Sequence, residues 1–122
     1  MASLGIRIDV GPGNRIGPGK VQLLEMIAEQ GSISAAGRAL GMSYRRAWLL
    51  IEAMNTGFGR PVVEAQIGGK AGGGARLSPF GADLIAHYRA IERAADRAAA
   101  PFLDRIAASA PGRDAVPPTG AS

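Results

Sequence analysis

The 122-residue chain contains no cysteine, which excludes disulfides, thiolate zinc sites, iron–sulfur clusters and a cysteine nucleophile. Its single histidine, His87, cannot by itself assemble a multi-histidine metal site. Aromatic residues amount to only 5%, so the 47% of hydrophobic residues must build a core from aliphatic and small side chains. Such a core is thin, and a partner subunit would help it. No apolar run approaches the roughly 20 residues that span a bilayer. Met1 to Val10, interrupted by Arg7 and Asp9, lacks the apolar stretch of a signal peptide. These absences predict a cytoplasmic chain with no membrane contact, no metal and no cofactor, and the length suits one domain.

What is present begins with charge. The formal net charge is +4, and its position says more than its size. Six basic residues (Arg38, Arg45, Arg46, Arg60, Lys70, Arg76) face two acidic ones (Glu52, Glu64) between Arg38 and Arg76, whereas the rest of the chain balances eight against eight. A local excess of this kind suits a phosphate-facing surface, although a solvated face can carry it too.

Along the chain, Gly5 to Val10 alternates apolar and polar residues with the period of a half-buried strand. Gly11 to Lys20, with four glycines and two prolines, reads as a turn-rich connector. Val21, Leu24, Ile27 and Ala28 then fall at helical spacing, widened by Leu23 and Met26, and Gly31 is a C-terminal stop. Ser32 is an N-cap for a short second helix over Ile33 to Leu40, ended by Gly41. Ser43 repeats the device before a third helix, Tyr44 to about Asn55, with Ala47, Leu50, Ile51 and Met54 facing inward. Two capped helices joined by a tight glycine turn make a helix-turn-helix.

Pro61 to Ile67 and Ala75 to Leu77 read as strands of a hairpin around the glycine-rich Gly68 to Gly74. Ser78 and Pro79 open a last helix that is expected to run to about Ala100 and to be kinked or interrupted at Pro101. Leu84, Tyr88, Ile91, Ala95, Ala98 and Phe102 recur at spacings of four and three, the signature of a helix-pairing seam. The stripe either packs on its own domain or pairs with a second copy, and the spacing favours the dimer. The tail after Ala108, rich in proline and glycine, is predicted to be disordered.

Two nucleotide-binding motifs fail on inspection. A Walker A loop ending at Gly19-Lys20 needs glycine where Asn14 stands and a hydroxyl where Val21 stands; a dinucleotide fingerprint starting at Gly11 needs glycine where Ile16 stands. No helix begins in Gly68 to Gly74 to lend that loop a dipole for phosphate, so a flexible wing on a DNA backbone fits it better. Enzyme chemistry is poorly supplied. The acidic residues are scattered singles explained by helical ion pairing, such as Glu92 and Asp96 beside Arg89 and Arg93, and Ser32, Ser43 and Ser78 all stand at caps.

The third helix carries the functional reading. Ser43, Tyr44, Arg45 and Arg46 occupy its start, the part that enters the major groove in helix-turn-helix proteins. Arginine bonds guanine bidentately at O6 and N7. Trp48, one turn on, is either core or backbone-facing, and core is favoured. Lys70 and Arg76 are expected to add phosphate or minor-groove contacts.

Three segments, Gly31-Ser32-Ile33-Ser34-Ala35-Ala36, Met42-Ser43-Tyr44-Arg45-Arg46-Ala47-Trp48 and Gly68-Gly69-Lys70-Ala71-Gly72-Gly73-Gly74-Ala75-Arg76-Leu77-Ser78 with Gly81, closely resemble the DNA-binding domain of the molybdate-responsive regulators of the ModE type. The helix-turn-helix half also looks like the LysR-type regulators. The resemblance covers about Ile6 to Ala100. It implies a dimer on a palindromic operator, with Ser32 and Ser34 near the DNA backbone, Ser43, Tyr44, Arg45 and Arg46 at the reader and Lys70 at the wing. The family's C-terminal molybdate-binding module has no counterpart in the Pro/Gly tail, which implies a domain signalled by another protein or regulated by abundance.

The resulting expectation is a mainly α fold with a small β-hairpin: a winged helix-turn-helix domain over 1–108, including a long dimerisation helix over 79–108, and a tail over 109–122. Its partners would be double-stranded DNA and a second copy of the chain. The alternative is a protein-interaction module that pairs with a full-length regulator, or receives a signal from a relaying protein, without itself reading DNA. Salt separates the two, because DNA binding weakens steeply with salt and an apolar seam does not.

Overall fold

The computed structural model describes residues 2–66 and 74–111. The stretch expected to be only a connector is more ordered than its glycines suggest. Ile8–Gly11 (β1) and Asn14–Ile16 (β2) form an antiparallel hairpin around Pro12-Gly13, with Ile8 opposite Ile16 and Asp9 opposite Arg15. The alternation read at Gly5 to Val10 therefore marks a strand whose partner is the connector itself. Burial explains the pairing: Ile16 is in the core, and Ile8 packs against it. Helix α1, Pro18–Gln30, then starts inside the expected connector, with proline in its first turn where the missing N–H costs nothing.

Helix α1 buries Val21, Leu23, Leu24 and Ile27, whereas Ala28, read as part of the inward stripe, is exposed. Helix α2, Ile33–Ala39, and helix α3, Tyr44–Phe58, each start on a serine whose Oγ accepts a backbone N–H: Ala35 N to Ser32, and Arg46 N to Ser43, both at 3.1 Å. The turn between them needs Gly41, whose φ of 72° lies in the left-handed region closed to most side chains. Met42 N donates to Gly37 O at 2.9 Å and sets the angle at which α3 leaves. Ala47, Ile51 and Met54 are buried and Leu50 is partly so, which gives α3 its core-facing side.

Strands β3, Val63–Gln66, and β4, Gly74–Leu77, pair antiparallel, with Val63 opposite Leu77 and Glu64 opposite Arg76. Ala75 N donates to Gly31 O at 2.9 Å, fastening β4 to the end of α1. The loop between these strands, 67–73, lies outside the described residues, as does the tail from 112 on.

Helix α4, Pro79–Ser109, has 31 residues and is about 46 Å long at 1.5 Å per residue. Ser78 holds its start, with Oγ accepting from Gly81 N at 2.9 Å and donating to Pro61 O at 2.7 Å. Pro101 does not interrupt the helix, which continues through it to Ser109. Pro101 cannot donate to Arg97 O, but this part of the helix is exposed, so water can satisfy that carbonyl. A second correction concerns Tyr88. It belongs to the core of its own chain, 1% exposed, and its hydroxyl donates to Ile6 O at 2.6 Å. Leu84 likewise packs against that core. The architecture is a winged helix-turn-helix, mainly α, with the wing strands β3 and β4, an additional N-terminal hairpin and a long last helix.

Candidate nucleic-acid interface

The reader of a helix-turn-helix must keep its first turns free of its own protein. Here the capping serine fixes where α3 begins, and its buried stripe fixes which side points outward. Tyr44 is 56% and Trp48 42% exposed, and Arg45, Arg46 and Leu49 are exposed as well. The exposure of Trp48 corrects the expectation that it lies in the core. Ala47, Ile51 and Met54 already fill the inward positions, and Trp48 stands one turn after Tyr44 on the same outer face.

Tyr44 and Trp48 line one side of a cleft of about 400 Å³ between α3, the start of α2 and the wing strands. Ser32, Ile33 and Ser34 line its second side, and Val63, Ala65, Gly74 and Ala75 its third. Ser32 and Ser43 accept hydrogen bonds from their own helices through Oγ, so each keeps an O–H proton to donate outward. Ser34 Oγ accepts from Arg38 Nη1 at 3.2 Å.

The basic residues of the central stretch differ in how their charge is spent. Arg38 is engaged by Ser34. Arg60 stacks over the Phe80 ring at 4.3 Å, and Phe80 meets Phe58 edge-on with ring centroids 5.1 Å apart. Arg76 is paired with Glu64 across the wing strands at 3.4 Å, which offsets part of the charge expected at the wing. Lys70 lies outside the described residues. Among the described residues, the side chains of Arg45 and Arg46 have no hydrogen-bonding or ion-pair partner. They point differently. Arg46 and Leu50 turn away from the cleft of Tyr44 and Trp48 and, with Arg7, Arg15 and Lys20, line a second cleft on the opposite flank of α3.

These three additional cations were missed in the sequence because they lie outside the basic stretch, among residues whose charges balance. Their signal is spatial: the β1–β2 hairpin folds Arg7 and Arg15 back onto the start of α1, beside α3.

The candidate seam on α4 divides in two. Leu84 and Tyr88 serve the domain's own core, Ala95 is half-buried, and Ile91, Ala98 and Phe102 are exposed, Phe102 by 62%. Ile106, one turn beyond Phe102 and equally exposed, extends the outward stripe. His87 is exposed on the same helix. Among the described residues no group of His, Asp or Glu side chains is placed to hold a metal ion, and no helix is long and apolar enough to cross a membrane.

The MopB molybdenum-pterin-binding protein of Rhodobacter capsulatus is 55% identical over 80 residues, covering 66% of this chain and 30% of that protein. The molybdenum transport protein ModE of Azotobacter vinelandii is 36% identical over 85 residues, covering 70% and 32%. The DNA-binding transcriptional dual regulator ModE of Escherichia coli K12 is 44% identical over 71 residues, covering 58% and 27%. The matched part of this chain thus corresponds to about a third of the length of these relatives. Among solved structures, CbnR_DBD in its complex with DNA matches with a TM-score of 0.55 at 22% identity, over 74% of this chain and 95% of that one. That likeness establishes the fold. The family model described as bacterial regulatory helix-turn-helix protein, lysR family, matches residues 19–82, and the chain belongs to that family.

Proposed function

We propose that the chain is a sequence-specific DNA-binding transcriptional regulator that acts as a homodimer on a palindromic operator. The observation that carries this reading is the outward face of α3, where Tyr44, Arg45 and Trp48 are exposed beside the serine-lined start of α2 and the wing strands. ModE of Escherichia coli, a DNA-binding transcriptional dual regulator, and CbnR_DBD, whose structure is a complex with DNA, point the same way.

In this reading Arg45 bonds guanine O6 and N7 in the major groove, and Tyr44 and Trp48 offer aromatic surface to sugars and thymine methyl groups. Ser32, Ser34 and Ser43 donate to phosphate oxygens, and Lys70 and Arg76 approach the backbone from the wing. The exposed stripe of Ile91, Ala98 and Phe102 pairs with its copy in a second chain, presenting two α3 helices about one helical turn of DNA, roughly 34 Å, apart.

Selection of bound genomic fragments, followed by gel shift with the selected duplex, tests this function. Steep loss of binding between about 50 and 200 mM salt and an inverted repeat in the fragments are expected. Pairing with a full-length regulator that persists at high salt, with no duplex bound even at low salt, would replace it by the interaction-module reading.

A further inference from the structure

We propose that the cleft formed by Arg7, Arg15, Lys20 and Arg46 binds DNA backbone phosphates on the strand flanking the groove that α3 enters. This rests on the DNA-binding reading above and adds a second, sequence-independent contact surface to it.

Four cationic residues from separate parts of the chain border this space of about 310 Å³: Arg7 before β1, Arg15 in β2, Lys20 in the first turn of α1 and Arg46 in the first turn of α3. One carboxylate offsets them, Asp9, paired with Arg15 at 3.1 Å on the exposed hairpin. Lys20 Nζ is anchored by donating to Arg15 O at 2.8 Å, which keeps its charge at the cleft. Cationic residues bordering one cleft raise the local concentration of anions there.

The backbone adds to the same field. Helix α1 begins at Gly17 with no side-chain cap and no acidic residue in its first turn. Val21 N donates to Gly17 O, leaving the Gly19 and Lys20 amides at the positive end of the helix dipole without intrahelical acceptors. Gly17 and Gly19 line the cleft and place no side chain across those amides.

The position of the cleft selects the ligand. Met42 and Arg46, at the helix-turn-helix turn and the first turn of α3, form one of its walls. A major groove about 12 Å wide has a phosphate strand along each side of an inserted helix. On one side of α3 stand Ser32, Ser34 and the wing strands; on the other stands this cleft. A duplex that accepts the first turn of α3 therefore brings its second strand to Arg7, Arg15 and Lys20.

The test compares the intact chain with Arg7→Gln, Lys20→Gln and the double variant on matched and mismatched duplexes across a salt series. The slope of log affinity against log salt is expected to lessen by about 0.9 for each cation removed, with the same loss on every sequence and base preference retained. Amide resonances of Gly19 and Lys20 in the unmodified chain are expected to shift when duplex is added, a readout that needs no variant to fold. Unchanged slopes and unshifted amides, with Arg45→Ala still relaxing base preference, would overturn the cleft and leave the DNA-binding reading standing. Saturable binding of inorganic phosphate at those amides, with duplex slopes unchanged in the variants, would overturn it in favour of a small free oxyanion. Failure of the unmodified chain to bind any duplex at about 50 mM salt would overturn both.

Discussion

Arg89 of α4 grips Glu25 of α1 with two parallel hydrogen bonds, Nε to Oε2 at 2.9 Å and Nη2 to Oε1 at 2.6 Å, while its Nη1 reaches Glu92 at 2.6 Å. The fork joins residues 64 positions apart and holds the long helix against the first one. The hydrogen bonds from Arg89 hold the Glu25 carboxyl below its ordinary value of 4.5, against the opposing effect of burial, with charge attraction adding to the lowering. Because its folded-state value is depressed, the stabilisation is complete above about pH 4.5 and is lost as the pH falls through the lower folded value. Both side chains are about a third exposed, so solvent screening limits the gain to about 1 kcal/mol. Glu25→Gln is expected to lower the Tm by a few degrees at pH 7 and to converge with the parent chain in acid. Thermal melts from pH 7 into acid check this; a difference that does not narrow as the pH falls below 4.5 rules out the ion pair as its source.

Gly81 sits where α4 crosses the chain just before β3. A Cβ there would overlap the carbonyl oxygen of Val62, which is fixed by accepting from Ser78 N at 3.0 Å. The obstacle is backbone, so no rotamer change relieves it. Gly81→Ala is therefore expected to cost about 3 kcal/mol, the upper end for overpacking, and to lower the Tm by on the order of 10 °C or more. A melting temperature within about 2 °C of the parent would show that α4 can shift away from Val62.

Trp48 is the sole tryptophan and is exposed on the outward face of α3 proposed to read DNA, so it reports on that face directly. Trp48→Ala is expected to change stability by less than about 1 kcal/mol, as at a surface position, and to weaken binding to the selected duplex at least tenfold. In the unmodified chain, adding duplex is expected to change tryptophan fluorescence. Large destabilisation with unaltered DNA affinity would return Trp48 to a structural role.

The elements read best in the sequence are those set by local chemistry. Ser32, Ser43 and Ser78 announce three helix starts because capping needs only a hydroxyl and the next turn of backbone, and all three caps are present. The failures depend on long-range contact. The glycines around Pro12 hide a hairpin whose reason for forming, the burial of Ile16, is distant in sequence. Tyr88, expected on the α4 seam, is in the core, and Trp48, expected in the core, is exposed on α3. Helical spacing shows that Tyr88 shares a stripe with Ile91, but only the fold reveals that Ile6 O waits at its hydroxyl. Charge was legible as a sum over the central stretch, whereas the gathering of Arg7, Arg15 and Lys20 around Arg46 depends on which elements meet.

The division of the α4 stripe separates the surface proposed to pair with a second copy from the residues that build the domain's own core. Phe102 and Ile106 are exposed in the single chain, so replacing them with charge leaves the domain's own core untouched. Phe102→Asp is expected to yield a folded monomer, with far-UV dichroism of the parent chain and half its mass in sedimentation. Binding to an inverted repeat should fall to that of a single half-site. Tyr88→Phe should do the opposite. It removes the hydroxyl that donates to Ile6 O at 2.6 Å and is expected to cost about 1 kcal/mol of stability. The dimer should be unaffected, because Tyr88 is 1% exposed before any partner arrives. Sedimentation of the two variants at matched concentration distinguishes them. A Phe102→Asp chain that remains a dimer would move the interface away from the stripe of Ile91, Ala98 and Phe102, and the spacing of the two α3 helices would then have to be set by another surface.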